Sequence, residues 1–269
     1  MYRKKQDDFI GSFSNIDFEN LFVHSDAMKT MPLIKVSPSK DAILTAHIEL
    51  LQDIAGKEKL LIPTFSYQFP RNRFFDLDKT PSEVGHISEY YRNNVALWRS
   101  HDPMFSVCGS GKPHINYSDL QCPFDDNSIF SKLVNDNSYI LFYGTDLNRA
   151  TIIHYVECKA NVQYRYWKSF KGILNNKDVE SDVELCSHFR PMGKHLDYDW
   201  PRLKNDLKKA GIINIHFPSV FGCKAKNITD FWLSKLLDDP LYLLDKESRT
   251  WVEPMLETLG RGFLQEDFE

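Results

Sequence analysis

The sequence predicts a layered α/β fold, and two observations carry that prediction. Asn20-Leu-Phe-Val-His-Ser25 and Leu60-Leu-Ile-Pro-Thr-Phe-Ser66 are short, dense apolar runs with the length of buried strands. Between them, residues 37–56 place Ile43, Leu44, Ile48, Leu51 and Ile54 at helical intervals. Strand, helix and strand in that order form the unit from which sheets covered by helices are assembled. At 269 residues, with 42% hydrophobic and 26% charged, the chain can supply the core that such layers need.

The remaining elements follow in order. Residues 15–20 read as a helix start. The strand at 20–25 runs into a polar loop, a place where phosphates and cofactors often bind. The helix of 37–56 opens on a capping Ser or Asp. Residues 67–80 show no period and hold Pro70, Arg71, Arg73, Phe74 and Phe75, as a functional loop would. Residues 80–92 read as a helix with Pro81 near its first position and Glu83 close behind. Strands are expected at 105–108, 138–143 and 213–217, and a helix at 151–160 after the turn Gly144-Thr-Asp-Leu-Asn148. Asn175-Asn-Lys-Asp178 is a hairpin-type turn between 167–170 and 179–185, and the helix of 199–210 ends at Gly211. Without internal repeats, low-complexity stretches or Pro/Gly/Ser linkers, residues 1–269 are expected to form a single domain.

Charge and composition exclude several classes. The net charge is −4, and residues 245–269 carry seven acidic against three basic side chains, so the rest is balanced. A nucleic-acid binder would show a basic excess. The longest apolar runs, such as 138–143, fall far short of the roughly 20 residues of a membrane-spanning helix. The N-terminus, Met-Tyr-Arg-Lys-Lys-Gln-Asp-Asp, lacks a signal-peptide pattern, so a cytoplasmic location is expected. Five widely spaced cysteines without a C-x-x-C pair point to reduced, buried thiols and no structural zinc.

His154 and Glu157 stand three apart inside a helical pattern, hence on one face. A carboxylate beside an imidazole there makes a base able to take a proton from an amine or hydroxyl near neutral pH. The other histidines, His114 among them, are scattered, and no H-E-x-x-H or acidic ligand cluster suggests a metal. A G-x-S-x-G elbow and a P-loop are also missing. Cys108-Gly-Ser-Gly-Lys112 reads as a turn ending a strand.

Five blocks occur in a telling order: Pro63-Thr-Phe-Ser; Thr80-Pro-Ser-x-x-Gly85 with Glu89 and Arg92; Arg99-Ser100; Pro103-x-x-Ser106-Val107; and Asn148-x-x-Thr151-x-x-His154-x-x-Glu157. With Val23-His-Ser25, Tyr164-Arg165 and Gly222-x-Lys224-Ala225, this arrangement resembles the aminoglycoside 3-N-acetyltransferase family over residues 21–225. The resemblance implies an α/β/α enzyme with a central mixed sheet. It would move an acyl group from acyl-coenzyme A to an amino group on a sugar, without a metal and without a covalent acyl-enzyme.

His154 would then be the general base and Glu157 its orienting partner. Backbone groups at His24, Ser25, Pro63, Thr64, Phe65, Ser106 and Val107 would line the pantetheine arm like an added strand, with strand-end amides stabilising the oxyanion. Lys224, Lys29, Arg99 and Lys112 are candidates for phosphates. Asp102 and Phe105 stand where antibiotic-modifying members typically show histidines. That departure, with the balanced charge, favours a nucleotide-linked amino sugar such as a dTDP-amino-dideoxyhexose, used in surface polysaccharide synthesis, over a polycationic aminoglycoside. Tyr67, Arg71, Arg73, Asp76, Tyr164 and Arg165, with Trp167, would bind its pyrophosphate and base. The alternatives are an aminoglycoside acetyltransferase and a non-catalytic coenzyme A- or sugar-binding module. Partners are small molecules, neither nucleic acid nor membrane, with a homodimer left open.

Overall fold

The structure is a computed structural model and describes residues 2–113 and 122–269. In chain order its elements are α1 (Tyr2–Gly11), β1 (Leu21–Ser25), α2 (Ala27–Thr30), α3 (Lys40–Ala55), β2 (Leu60–Pro63), α4 (Phe69–Asn72), β3 (Phe74–Asp76), α5 (His86–Asn94), β4 (Trp98–Arg99) and β5 (Val107–Gly109). There follow α6 (Ile129–Asn135), β6 (Tyr139–Tyr143), α7 (Ile152–Lys159), β7 (Tyr166–Asn176), β8 (Val179–Phe189), α8 (Trp200–Lys209), β9 (Asn214–Phe217), β10 (Val220–Lys224), α9 (Ala225–Asp238) and α10 (Lys246–Leu259).

A seven-stranded mixed sheet runs β4-β5-β2-β1-β6-β10-β9. Its centre is parallel, with β1 between β2 and β6, and antiparallel strands complete both edges. Leu21, Val23, Tyr139, Leu141 and Tyr143 face one core with α1, α3 and α5. Phe22, Ile140, Phe142 and Phe221 face the other, with α6, α7, α8 and α9. Burial on both faces explains why β1 and β6 read as unbroken apolar runs. Ser39 caps α3 by accepting the Ala42 amide at 3.2 Å, as its sequence position suggests.

A second sheet, β3-β7-β8, stands beside the first over its own core of Phe69, Phe75, Phe170 and Leu185. The β7–β8 hairpin closes on Lys177 and Asp178, both with positive φ, 52° and 63°. Gly222 is required in β10, since a Cβ there would lie 2.3 Å from the Tyr139 ring.

Several expectations need correction. Residues 15–20 are turn and coil, and the first helix is α1, held by Phe9 and Phe13 in the core. The supposed long loop of 67–80 contains α4 and β3, because Phe74–Asp76 pairs with Ile173–Asn175. The helix expected from residue 80 begins at His86. Glu89 reaches back to accept the Ser82 amide at 2.7 Å, so residues 80–85 stay irregular up to Gly85 at φ 125°. The strand β10 and the helices α9 and α10 gave no clear signal in the sequence. All five cysteines are free.

Candidate active site

A cavity of about 1230 Å³ opens where β1, β2 and β6 end, the side of a parallel sheet where loops gather. It exceeds the roughly 300–1000 Å³ of a typical single-ligand pocket, which leaves room for two substrates. Its far wall is the end of β8 and residues 196–200.

Asn148, Thr151 and His154 line the cavity at three-residue spacing, and Glu157 continues the series underneath, wholly buried. Glu157 Oε2 lies 3.0 Å from His154 Nδ1 and 2.8 Å from Arg165 Nε, and accepts the Tyr198 hydroxyl at 2.9 Å. Burial alone would raise the Glu157 carboxyl. The Arg165 charge and the His154 contact outweigh it and hold the group at about 2. An ionised carboxylate at Nδ1 selects the tautomer that carries its proton there. The lone pair then sits on Nε2, which no group among the described residues engages.

Burial lowers the His154 pKa below 6.5, more than the Glu157 contact raises it, so the ring is neutral near pH 7. Phe124 contributes, its ring centroid 5.3 Å from that of His154. Phe105 extends the same aromatic wall, 4.8 Å from Phe124 and 5.4 Å from Phe65. Asp102 is buried and accepts the Met104 and Phe105 amides, both at 2.8 Å. Its burial pushes it up to about 6, against the pull of those amides.

Of the residues given a catalytic or binding role from the sequence, seven line the cavity: His24, Ser25, Pro63, Phe65, Tyr67, His154 and Arg165. Thr64, Ser106 and Val107 lie inside its wall, fully buried. The Thr64 and Ser66 amides donate to Ser106 and Met104 carbonyls at 2.8 and 3.0 Å, and the Asp26 amide to Tyr143 at 2.8 Å. These three amides are therefore already paired within the protein. Arg99 is buried rather than facing a phosphate. It donates to Ser106 Oγ (2.9 Å) and to the carbonyls of Thr64 (2.8 Å), Leu77 (3.2 Å) and Thr80 (2.6 Å).

The other candidates lie elsewhere. Lys224 bonds Asn137 at 2.7 Å and pairs opposite Tyr139, at the other end of β6. Asp76 caps the turn at Asp78 and Lys79 and accepts from Asn175 at 2.8 Å. Arg73 stacks over Phe170 at 5.2 Å, and Arg71 is exposed on α4. Tyr164 is buried behind Arg165, and Trp167 is partly exposed, stacked on His188 at 4.8 Å. Lys29 and Lys112 are exposed, and His114 lies outside the described residues.

Sequence reading missed Tyr198, His188, Arg190, Arg149 and Asp197, which all line the cavity. They stand in coil or at element ends, where no periodicity marks them; only the aromatic density of Asp197-Tyr-Asp-Trp200 was a visible cue. His24 is buried between Phe22 and Phe142, its Nε2 without a partner among the described residues. Burial, aided by Arg149, lowers it to about 3. Among the described residues no cluster of three or more His, Cys, Asp or Glu could hold a metal, and no helix is long and apolar enough to cross a membrane.

The fold recurs in known structures. The YokD protein from Bacillus subtilis superposes with a TM-score of 0.69 at 16% identity, covering 89% of this chain and 94% of that one. The aminoglycoside acetyltransferase AAC(3)-IVa apoenzyme gives 0.65 at 17%, covering 90% and 94%. AAC-IIIb in its binary complex with CoASH gives 0.69 at 15%, covering 87% and 96%. No curated protein matches by sequence. The aminoglycoside 3-N-acetyltransferase family model matches residues 22–234, most of the chain. The protein therefore belongs to the aminoglycoside 3-N-acetyltransferase family and is a coenzyme A-dependent N-acyltransferase that takes an acyl-coenzyme A as co-substrate.

Proposed function

We propose that the protein acylates the amino group of a nucleotide-linked amino sugar, such as a dTDP-amino-dideoxyhexose destined for surface polysaccharide, with His154 as general base. As the sugar amine attacks the thioester carbonyl carbon, His154 Nε2 takes the amine proton. The C–S bond breaks, and the proton passes to the departing coenzyme A thiolate. Glu157 holds the ring and stabilises the imidazolium that forms.

One observation supports an anionic acceptor: the acidic side chains of the cavity already accept hydrogen bonds within the protein, whereas three of its cations lack anionic partners among the described residues. Its acidic side chains are engaged within the protein. Asp26 caps α2, Glu83 accepts from Gln68 at 2.9 Å, and Asp197 accepts from the Tyr198 amide and Trp200 Nε1. Lys40, Arg149 and Arg190 line the same cavity, and among the described residues none of their side chains has an anionic partner. Arg149 acts on His24, at the end of β1, and Arg190 acts on His154, across the cavity. Three cations without an anionic partner suit phosphate-bearing substrates better than a polycation.

The family match favours the second reading, an aminoglycoside acceptor. Thiol release from acetyl-coenzyme A with dTDP- and UDP-linked amino sugars, and in parallel with kanamycin-type aminoglycosides, separates the two. Turnover on the nucleotide sugars alone is expected. Turnover on the aminoglycosides alone would reverse the assignment.

A further inference from the structure

One hydroxyl that touches both His154 and Glu157 comes from a different part of the chain. Tyr198 stands in coil, 44 residues after His154, and its backbone is held from the far side. It forms an antiparallel bridge with Leu244. The Asp199 amide donates to Leu243 O, and the Asp245 amide to Asp197 O, both at 3.1 Å. The Asp197 amide donates to Ser248 Oγ at 2.8 Å, and Ser248, itself fully buried, donates back to Asp197 O at 3.2 Å. Residues 243–248, which do this, lie beyond the 22–234 matched by the family model.

The clamp delivers one hydroxyl into the site. That hydroxyl donates to Glu157 Oε2 at 2.9 Å, accepts from Arg165 Nη2 at 2.5 Å and lies 3.2 Å from His154 Nδ1. Burial, with Glu157 beside it, keeps it protonated at any working pH. Its single proton is committed to the carboxylate, so the side it turns to Nδ1 is an acceptor. Nδ1 thus faces two oxygens that both favour an N–H there.

We propose that Tyr198 is a positioning residue, acting through Glu157 and Arg165 to fix the tautomer, pose and basicity of His154, and that segment 243–248 holds it in place. The proposal rests on the reading of His154 as general base. A wall role would need only the ring; this role needs the hydroxyl.

Tyr198→Phe keeps the ring and removes the hydroxyl. The expected result is a loss of about 10- to 100-fold in kcat, the range for partners that orient a functional imidazole. KM for acetyl-coenzyme A should stay within about twofold. Without the donated proton the Glu157 charge pulls harder on the imidazolium, so the acid limb of kcat/KM should move up by about half a pH unit or more. Ser248→Ala, which loosens the clamp without touching the site, should shift both quantities the same way by less. An unmoved acid limb in Tyr198→Phe, with or without a fall in kcat, would overturn the role. His154→Ala run alongside separates the failures. Retained turnover there sinks the base assignment and this role with it, whereas lost turnover beside an unmoved Tyr198→Phe limb sinks this role alone.

Discussion

Arg99 and Arg165 each sit at the centre of a buried hydrogen-bond web, 7% and 8% exposed, but their partners differ in kind. Arg99 meets only neutral oxygens, three backbone carbonyls and the Ser106 hydroxyl, and burial lowers it to about 10. Arg165 meets the Glu157 carboxylate, and that charge overcomes its burial and raises it. The first web ties Thr64, residues 77–80 and Ser106 into a wall. The second charges a carboxylate under an imidazole. A buried cation with neutral partners builds shape, and one paired to an acid tunes a titrating group.

The comparison is most easily broken at His154. His154→Ala should lower kcat by about 10²- to 10⁴-fold in thiol-release assays. Calorimetric affinity for acetyl-coenzyme A should change by less than about threefold. Next come the two arginines. Arg165→Met should cost about 10- to 100-fold in kcat, since it leaves the Glu157 charge uncompensated. Arg99→Met should instead cost about 3 kcal/mol of stability by stranding buried carbonyls, with kcat of the folded fraction kept within about threefold. Equal kinetic losses in both would erase the distinction. Arg190→Ala should raise KM for a nucleotide-linked amino sugar about tenfold, as loss of one charge-assisted hydrogen bond would. The same amino sugar without its nucleotide should show no such change.

A further expected effect is on stability against pH. Burial lowers His24 to about 3, and lowers His47 and His188 to about 4. The His188 shift has a second cause, the nearby Arg165 charge. In the unfolded chain these rings take up protons below about 6.5, while in the folded protein they stay neutral. Their contribution to stability is therefore complete above that value and is lost as pH falls from about 6.5 toward 4. Glu157, depressed to about 2, adds a loss that sets in lower, as pH falls below about 4.5. Chemical denaturation across this range should show a steady decline, and Glu157→Gln should flatten only its lowest part.

How much of this was legible in the sequence depended on how local the cause was. The strands β1, β2 and β6 and the helix α3 were readable because burial on both sheet faces and a Ser39 cap leave their marks within one segment. The His154–Glu157 pair was readable for the same reason, three residues apart on one helix. What escaped was set by distant partners. Phe74–Asp76 becomes a strand only through Ile173–Asn175. Residues 80–85 stay irregular because Glu89 binds Ser82. Arg99 looks like a phosphate ligand until the carbonyls around it are seen. Tyr198 reaches the site through contacts with 243–248 that no sequence spacing encodes.

The central claim is that His154 is held neutral, with its proton on Nδ1 and a bare Nε2 facing the cavity. It is tested most directly by ¹⁵N NMR of the histidine-labelled protein, with His154→Gln to assign the ring. The account predicts an Nδ1–H tautomer at pH 7 and a titration midpoint below 6.5 that rises or falls with changes at Glu157 and Tyr198. A His154 ring that is protonated at pH 7, or that carries its proton on Nε2, would contradict it.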